Sequence, residues 1–158
     1  WRLTRRSIWI GTQRRWNRWP PNEGVCKVQV AEHERDTVMR PRTILVIEDD
    51  ASVRVLLAQI LEDAGYQTYE AANGREGLEQ FRAKPMDLVI TDLEMPEMNG
   101  LDLILELTRA FLDVKVIAMS GHSSDELQTA RLLGARQTFA KPLDLSMLLR
   151  AVQYELLH

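Results

Sequence analysis

Four short strand-like runs in this chain, three of them apolar and one weak, each end on side chains that can do chemistry. Leu88-Val89-Ile90 leads to Asp92, Thr43–Ile47 to Glu48-Asp49-Asp50, Val114–Met119 to Ser120-Gly121, and Gln137–Ala140 to Lys141-Pro142. Each feature is ordinary alone: an acidic run before a helix is commonly a cap, a lone Asp a turn former, Lys-Pro and Ser-Gly loop dipeptides. Their placement at four strand ends is what carries a chemical reading. Carboxylates brought together repel and raise one another's pKa unless a cation sits among them. Mg²⁺ suits such a place, because it takes a few carboxylates together with waters and phosphate oxygens. A site of this kind accepts a metal ion and then a phosphoryl group. Asp92 is the expected nucleophile, since carboxylates form covalent phospho-intermediates. Mg²⁺ and Lys141 would neutralise the phosphoryl oxygens, and Ser120 would donate a hydrogen bond to one of them.

These groups meet only if the chain between them alternates strands and helices. After the Thr43–Ile47 strand, Val53, Leu56, Leu57, Ile60 and Leu61 recur on one helical face, and Gly65 ends that helix. Tyr66–Glu70 reads as a second strand, and Asn73 caps a helix carrying Leu78 and Phe81. Beyond Asp92, Pro96 closes off strand pairing, and Asn99 caps a helix with Leu101, Ile104, Leu105 and Thr108 along one side. Ser123-Ser124-Asp125-Glu126 opens a helix that carries Leu127, Ala130 and Leu133 and stops at Gly134. Asp144 caps a last helix with Leu145, Leu148, Leu149, Val152 and Leu156. Five such βα units predict an α/β domain whose parallel sheet is covered on both faces. In a doubly wound sheet of order 2-1-3-4-5, strands one and three adjoin at the topological switch point, where ligands bind beyond the carboxyl ends.

Charge and composition divide the chain near residue 40. Residues 1–40 hold nine Lys/Arg against four acids and all four tryptophans, Trp1, Trp9, Trp16 and Trp19, whereas the remainder holds eleven against nineteen. The first forty residues show little periodicity and no continuous apolar stretch followed by a small-residue cleavage site, which argues against a secretory signal. The chain opens on Trp, and Met39 stands four residues before the first strand. Residues 1–40 are therefore expected to be a basic, Trp-rich extension that is disordered or upstream of the native start. A functional arm for nucleic acid or an anionic surface is the rival reading of the same segment. Cys26 is the single cysteine, so there is no internal disulfide framework and no thiolate metal site. No apolar run approaches the length of a membrane span. A cytoplasmic protein is expected.

Ile44-Leu45-Val46-Ile47-Glu48-Asp49-Asp50, the run from Asp92 to Gly100, Met119-Ser120-Gly121, and Gly134-Ala135 followed by Lys141-Pro142 together resemble the receiver domain of bacterial two-component response regulators. The resemblance spans about residues 42–157. It implies a flavodoxin-like doubly wound (βα)5 three-layer sandwich with sheet order 2-1-3-4-5, in a domain over residues 41–158. It also implies that Asp92 accepts a phosphoryl group from a sensor histidine kinase or phosphotransfer protein. Glu48, Asp49 and Asp92, with the backbone carbonyl of Glu94, would hold Mg²⁺ or Mn²⁺, Asp50 lying just beyond. Ser120 matches the switch hydroxyl and Lys141 the family's lysine, whose bond to Pro142 is cis. Output would pass through the fourth helix, fifth strand and fifth helix, roughly residues 123–157, where Ser120, Thr138 and Pro142 are the expected switch positions. The target is a downstream protein or an output domain. The chain stops at the close of its last helix, so it is expected to be a stand-alone regulator or a receiver taken from a longer protein.

One departure stands out. Where the family often has a Tyr or Phe three residues before the lysine, this chain has Thr138, with Phe139 next to it. Strand alternation sends the two to opposite faces, so Phe139 is expected in the core and the aromatic half of the usual coupling is in doubt. Glu94, two residues past Asp92, and His122, two past Ser120, are expected to tune how long the aspartyl phosphate lasts. Three rival readings stand beside this one. A metal-dependent phosphatase or phosphotransferase of small substrates would need a substrate-binding cap or a second acid placed as general acid close to the nucleophile, and nothing between residues 93 and 100 supplies a cap. A flavin or nucleotide site would need a glycine-rich phosphate loop at a strand-to-helix turn, and no such loop is present. A degenerate receiver would act by binding alone.

Overall fold

In a computed structural model of the chain, which describes residues 40–121 and 124–158, five strands form one sheet. They are β1 (Thr43–Ile47), β2 (Gln67–Ala71), β3 (Leu88–Asp92), β4 (Val116–Ser120) and β5 (Gln137–Ala140), all parallel and ordered β2-β1-β3-β4-β5. Helices α1 (Ala51–Asp63), α2 (Gly74–Ala83), α3 (Gly100–Ala110), α4 (Ser124–Leu133) and α5 (Leu145–Leu157) alternate with them. This is the doubly wound fold the sequence predicts. The described residues lie in the unit Val38–His158. The readings of the basic extension and of His122 fall outside the described residues.

Every residue of β1, β3 and β4 is buried, because helices cover both faces of these central strands; they are mainly apolar, with Thr91 and Asp92 of β3 and Ser120 of β4 at the carboxyl ends. The edge strands β2 and β5 are only partly covered. Alternation along the strands sorts the core into two layers. Leu45, Ile47, Val89 and Ala118 pack with Leu78, Phe81, Leu103, Ile104, Leu107 and Ala130 of α2, α3 and α4. Ile44, Val46, Leu88, Ile90, Ile117 and Met119 pack with Leu57, Leu61, Leu148, Val152 and Leu156 of α1 and α5.

Two helical faces are set differently from the predicted ones. In α1 the buried residues are Leu57, Ala58 and Leu61, while Leu56 is 51% exposed. In α3 they are Gly100, Leu103, Ile104 and Leu107, with Leu101, Leu105 and Thr108 only half-buried. Both helices carry more apolar residues than one stripe can bury, so periodicity alone cannot choose the face. Strand bounds also shift slightly: β2 begins at Gln67, and β4 runs from Val116 to include Ser120.

Asp87, which opens the β3 segment, fixes the far end of the sheet. Its carboxylate accepts from the Thr43 N–H at 2.8 Å and the Thr43 hydroxyl at 2.9 Å, and Arg42 lies 3.1 Å away. Partial burial works against that charge, but the Thr43 bonds and the two nearby arginines outweigh it and hold the carboxyl below its ordinary value. Asp50, Asn73, Asn99 and Asp144 cap α1, α2, α3 and α5, each accepting from backbone N–H groups of the first turn.

Candidate functional site

Register brings the reactive residues together. Ile47 of β1 stands opposite Thr91 of β3, so Glu48 and Asp92 follow at the same level. Ser120 of β4 pairs with Ala140 of β5, and Lys141 comes next. The Lys141–Pro142 peptide bond is cis. Lys141 Nζ lies 3.0 Å from Glu48 Oε2, 3.3 Å from Glu48 Oε1 and 3.1 Å from Asp92 Oδ2. One ammonium thus bridges two carboxylates that are almost wholly buried, Glu48 at 1% and Asp92 at 3% exposure. Asp92 Oδ1 accepts from the N–H of Leu93 at 2.9 Å. Asp49 stands at the exposed rim, and one carboxylate oxygen each from Glu48, Asp49 and Asp92 lie within 4.8 Å of one another. Asp50 has a different task, accepting from the Ser52 and Val53 N–H groups as the cap of α1. The acidic run therefore divides into two site residues and one cap.

Burial pushes the Glu48 and Asp92 carboxyls above their ordinary values, and the Lys141 ammonium facing both does not fully offset it. Burial also opposes the Lys141 charge, but the hydrogen bonds it donates to Glu48 and the Asp92 charge outweigh it and raise that pKa. If all are ionised, three carboxylates face one ammonium, leaving two negative charges for a divalent cation to balance.

The Ser120 hydroxyl lies 2.9 Å from Glu94 Oε1 and 3.0 Å from Glu126 Oε2, and the Gly121 N–H donates to Glu94 Oε1 at 3.1 Å. Glu94 therefore links the loop after β3 to the end of β4. In that loop the Met98 N–H donates to the Pro96 carbonyl at 2.8 Å, turning the chain around Glu97, whose φ of 67° is left-handed. Thr138 accepts from Arg131 Nε at 2.9 Å on the α4 side, whereas Phe139 packs against the α1–α5 layer. The two side chains take opposite faces, as alternation predicts. Beside Lys141 and Pro142 an apolar cleft of about 230 Å³ is lined by Val53, Leu56, Leu57, Leu143 and Leu145.

Two residues near the site are not evident from sequence. Arg54 on α1 donates to the Glu48 carbonyl at 2.6 Å and pairs with Glu70 at 3.4 Å, bracing the turn that carries the acids. Its only sequence signal is a charge beside the apolar stripe of α1. Glu126 meets Ser120 through a helix start that the sequence shows only as an acidic first turn.

The family model of the response regulator receiver domain matches residues 44–153. Sporulation initiation phosphotransferase F of Bacillus subtilis is 33% identical over 116 residues, covering 73% of this chain and 94% of that protein. Chemotaxis protein CheY of Thermotoga maritima is 33% identical over 113 residues, covering 70% and 94%. Among solved structures, the response regulator protein TrrA of Thermotoga maritima in complex with Mg(2+)-BeF superposes with a TM-score of 0.67 at 31% identity, covering 72% of this chain and 98% of that one. Family model, sequence and fold agree: the chain belongs to the response regulator receiver domain family, whose members act as signalling switches.

Proposed function

We propose that this protein is a phosphoacceptor switch in which Asp92 takes a phosphoryl group from a sensor histidine kinase or phosphotransfer protein. The observation that carries this reading is the Lys141 ammonium bridging Asp92 and Glu48, with a third carboxylate, Asp49, within reach. In the transfer an Asp92 carboxylate oxygen forms a bond to phosphorus as the donor's N–P bond breaks, and the donor imidazole leaves with that electron pair. Lys141 is placed to pass from the Asp92 carboxylate to an oxygen of the incoming group, and Ser120 to donate its hydroxyl hydrogen to another. The three carboxylates fit Mg²⁺, which Glu48, Asp49, Asp92 and the Glu94 carbonyl would hold. When bound, the ion would draw charge from the phosphoryl oxygens. The added negative charge then shifts the Ser120 end of β4 and α4, and the α4–β5–α5 face presents the change to a partner or output domain.

The test is intact-protein mass after incubation with Mg²⁺ and a small acyl phosphate. One phosphoryl addition is expected, absent without Mg²⁺ and absent in Asp92→Asn. Unmodified wild-type protein at saturating donor would contradict the assignment.

The raised carboxyls give this site a pH signature. Glu48 and Asp92 hold protons more tightly folded than unfolded. The stability they confer is complete below their ordinary values, 4.5 and 3.8, and is lost as pH rises through the raised folded values. A metal that needs both groups ionised competes with those protons. Mg²⁺ affinity, measured by calorimetry from the ordinary carboxylate values upward, should therefore rise with pH through the raised carboxyl range, its logarithm gaining at most about 1 per pH unit for each proton displaced, and level off above it. A profile flat down to the ordinary carboxylate values would show that the two carboxyls do not hold the metal.

A further inference from the structure

The Ser120 hydroxyl is approached by two carboxylates from separate segments, Glu94 in the loop after β3 and Glu126 in the first turn of α4. An acid in a helix's first turn is favourable there without any side-chain partner, and Asp125 already supplies one. Glu126 does something further: it is half-buried and reaches back six residues to Ser120. A hydroxyl carries a single hydrogen, so it serves either these carboxylates or another acceptor.

We propose that Glu126 is a positioning residue for the phosphotransfer site, acting through Ser120: with Glu94 it holds the hydroxyl's hydrogen in the resting protein and so ties the start of α4 to the end of β4. The inference rests on the phosphoacceptor reading of Asp92. Once a phosphoryl oxygen takes that hydrogen, Glu126 loses its bond to Ser120. Engagement of the phosphoryl group and attachment of α4 to Ser120 are therefore mutually exclusive. Removing the Glu126 carboxylate makes the hydroxyl available earlier.

The test compares rates of phosphoryl uptake from a small acyl phosphate with Mg²⁺, read by intact mass, in the full chain and in Glu126→Ala, Ser120→Ala and the double variant. Glu126→Ala should speed uptake about three- to ten-fold, the size of an ordinary net hydrogen bond, because Glu94 still accepts from Ser120. In the Ser120→Ala background the same change should do nothing. Weaker repulsion of the anionic donor would instead speed uptake in both backgrounds, and that result would overturn the proposal, as would an unchanged rate in Glu126→Ala. Glu126→Gln keeps an acceptor oxygen without the charge and should give a smaller rise, which guards against a folding defect in the alanine variant. Failure of wild type to take up phosphoryl at all would overturn the phosphoacceptor reading and this inference with it, a result distinct from uptake at an unaltered rate.

Discussion

Lys141→Met should cost about 2–3 kcal/mol of folding stability at neutral pH without divalent metal, because it strands two buried carboxylates that now share one cation. The figure sits below the full penalty for an unpaired buried charge for two reasons. The Lys141 side chain is 27% exposed, so solvent already screens part of the pair. The raised Glu48 and Asp92 carboxyls can also take up a proton instead of remaining charged. Two dependences follow. The deficit should shrink in mild acid, where those carboxyls protonate, and saturating Mg²⁺ should restore most of the loss by replacing the missing charge. Phosphoryl uptake should stay slow even with Mg²⁺, by about 10²-fold, since the variant lacks one fixed donor to the transferred group. Urea titrations with and without Mg²⁺ at two pH values check the first part, and timed mass spectra the second. A variant as stable as wild type in chelator would mean that Lys141 does not offset the buried acids.

Gly100→Ala should be the most damaging single-methyl change in the domain, costing about 3 kcal/mol, at the upper end for forced overpacking. A Cβ at this position would lie 2.2 Å from the Asp92 carbonyl oxygen and 2.7 Å from the Leu93 Cα. Both are backbone atoms of the strand end that carries the phosphoacceptor, so no rotamer change relieves the clash. Either α3 moves away from β3 or Asp92 shifts out of line with Lys141. Stability and phosphoryl uptake should therefore fall together. Gly121→Ala is the control near the same site, because its Cβ would meet only Glu94 carboxylate oxygens at 3.8 and 3.9 Å, ordinary contact. Gly65→Ala separates conformation from crowding: nothing lies within 4 Å, but φ is 90°, so it should cost about 1 kcal/mol. Equilibrium unfolding of the three variants should rank Gly100 well above Gly65 and Gly65 above Gly121. A Gly100→Ala loss no larger than that of Gly65→Ala would contradict the close approach of α3 to the Asp92 backbone.

The parts of this protein legible in its sequence are those fixed by local chemistry. Ile44–Ile47 and Leu88–Ile90 are apolar on both faces, which signals buried parallel strands before any pairing is known. Asp50, Asn73, Asn99 and Asp144 announce helix starts because a short polar side chain can reach first-turn N–H groups. The meeting of Glu48, Asp92 and Lys141 follows once strands one, three and five end at one edge. What sequence leaves open depends on distant partners. In α3, five apolar residues between Leu101 and Leu107 offer several faces, and only the sheet selects Leu103, Ile104 and Leu107. Glu155 of α5 is 6% exposed because Gln137 Nε2 donates to its carboxylate and Lys115 reaches its backbone carbonyl, contacts no helical pattern reveals. Glu94 accepts from Ser120 and Gly121, contacts that its place two residues past Asp92 does not announce. Gly100 reads as part of an Asn-Gly turn, while its physical cause is the backbone of Asp92 passing directly beneath it.

The central claim is that the Asp92 carboxylate itself carries the phosphoryl group, and borohydride trapping reads this at the level of the residue. Protein incubated with Mg²⁺ and a small acyl phosphate is reduced, digested and mapped by peptide mass. Hydride reduces an acyl phosphate to the alcohol with release of inorganic phosphate, so a phosphorylated aspartate is recovered as homoserine. The account predicts homoserine at position 92 and at no other acidic residue, with none when Mg²⁺ is omitted. Homoserine at position 49, 2-amino-5-hydroxypentanoate (the product of a reduced glutamyl phosphate) at position 48, or phosphoryl uptake without any reducible aspartate would contradict it.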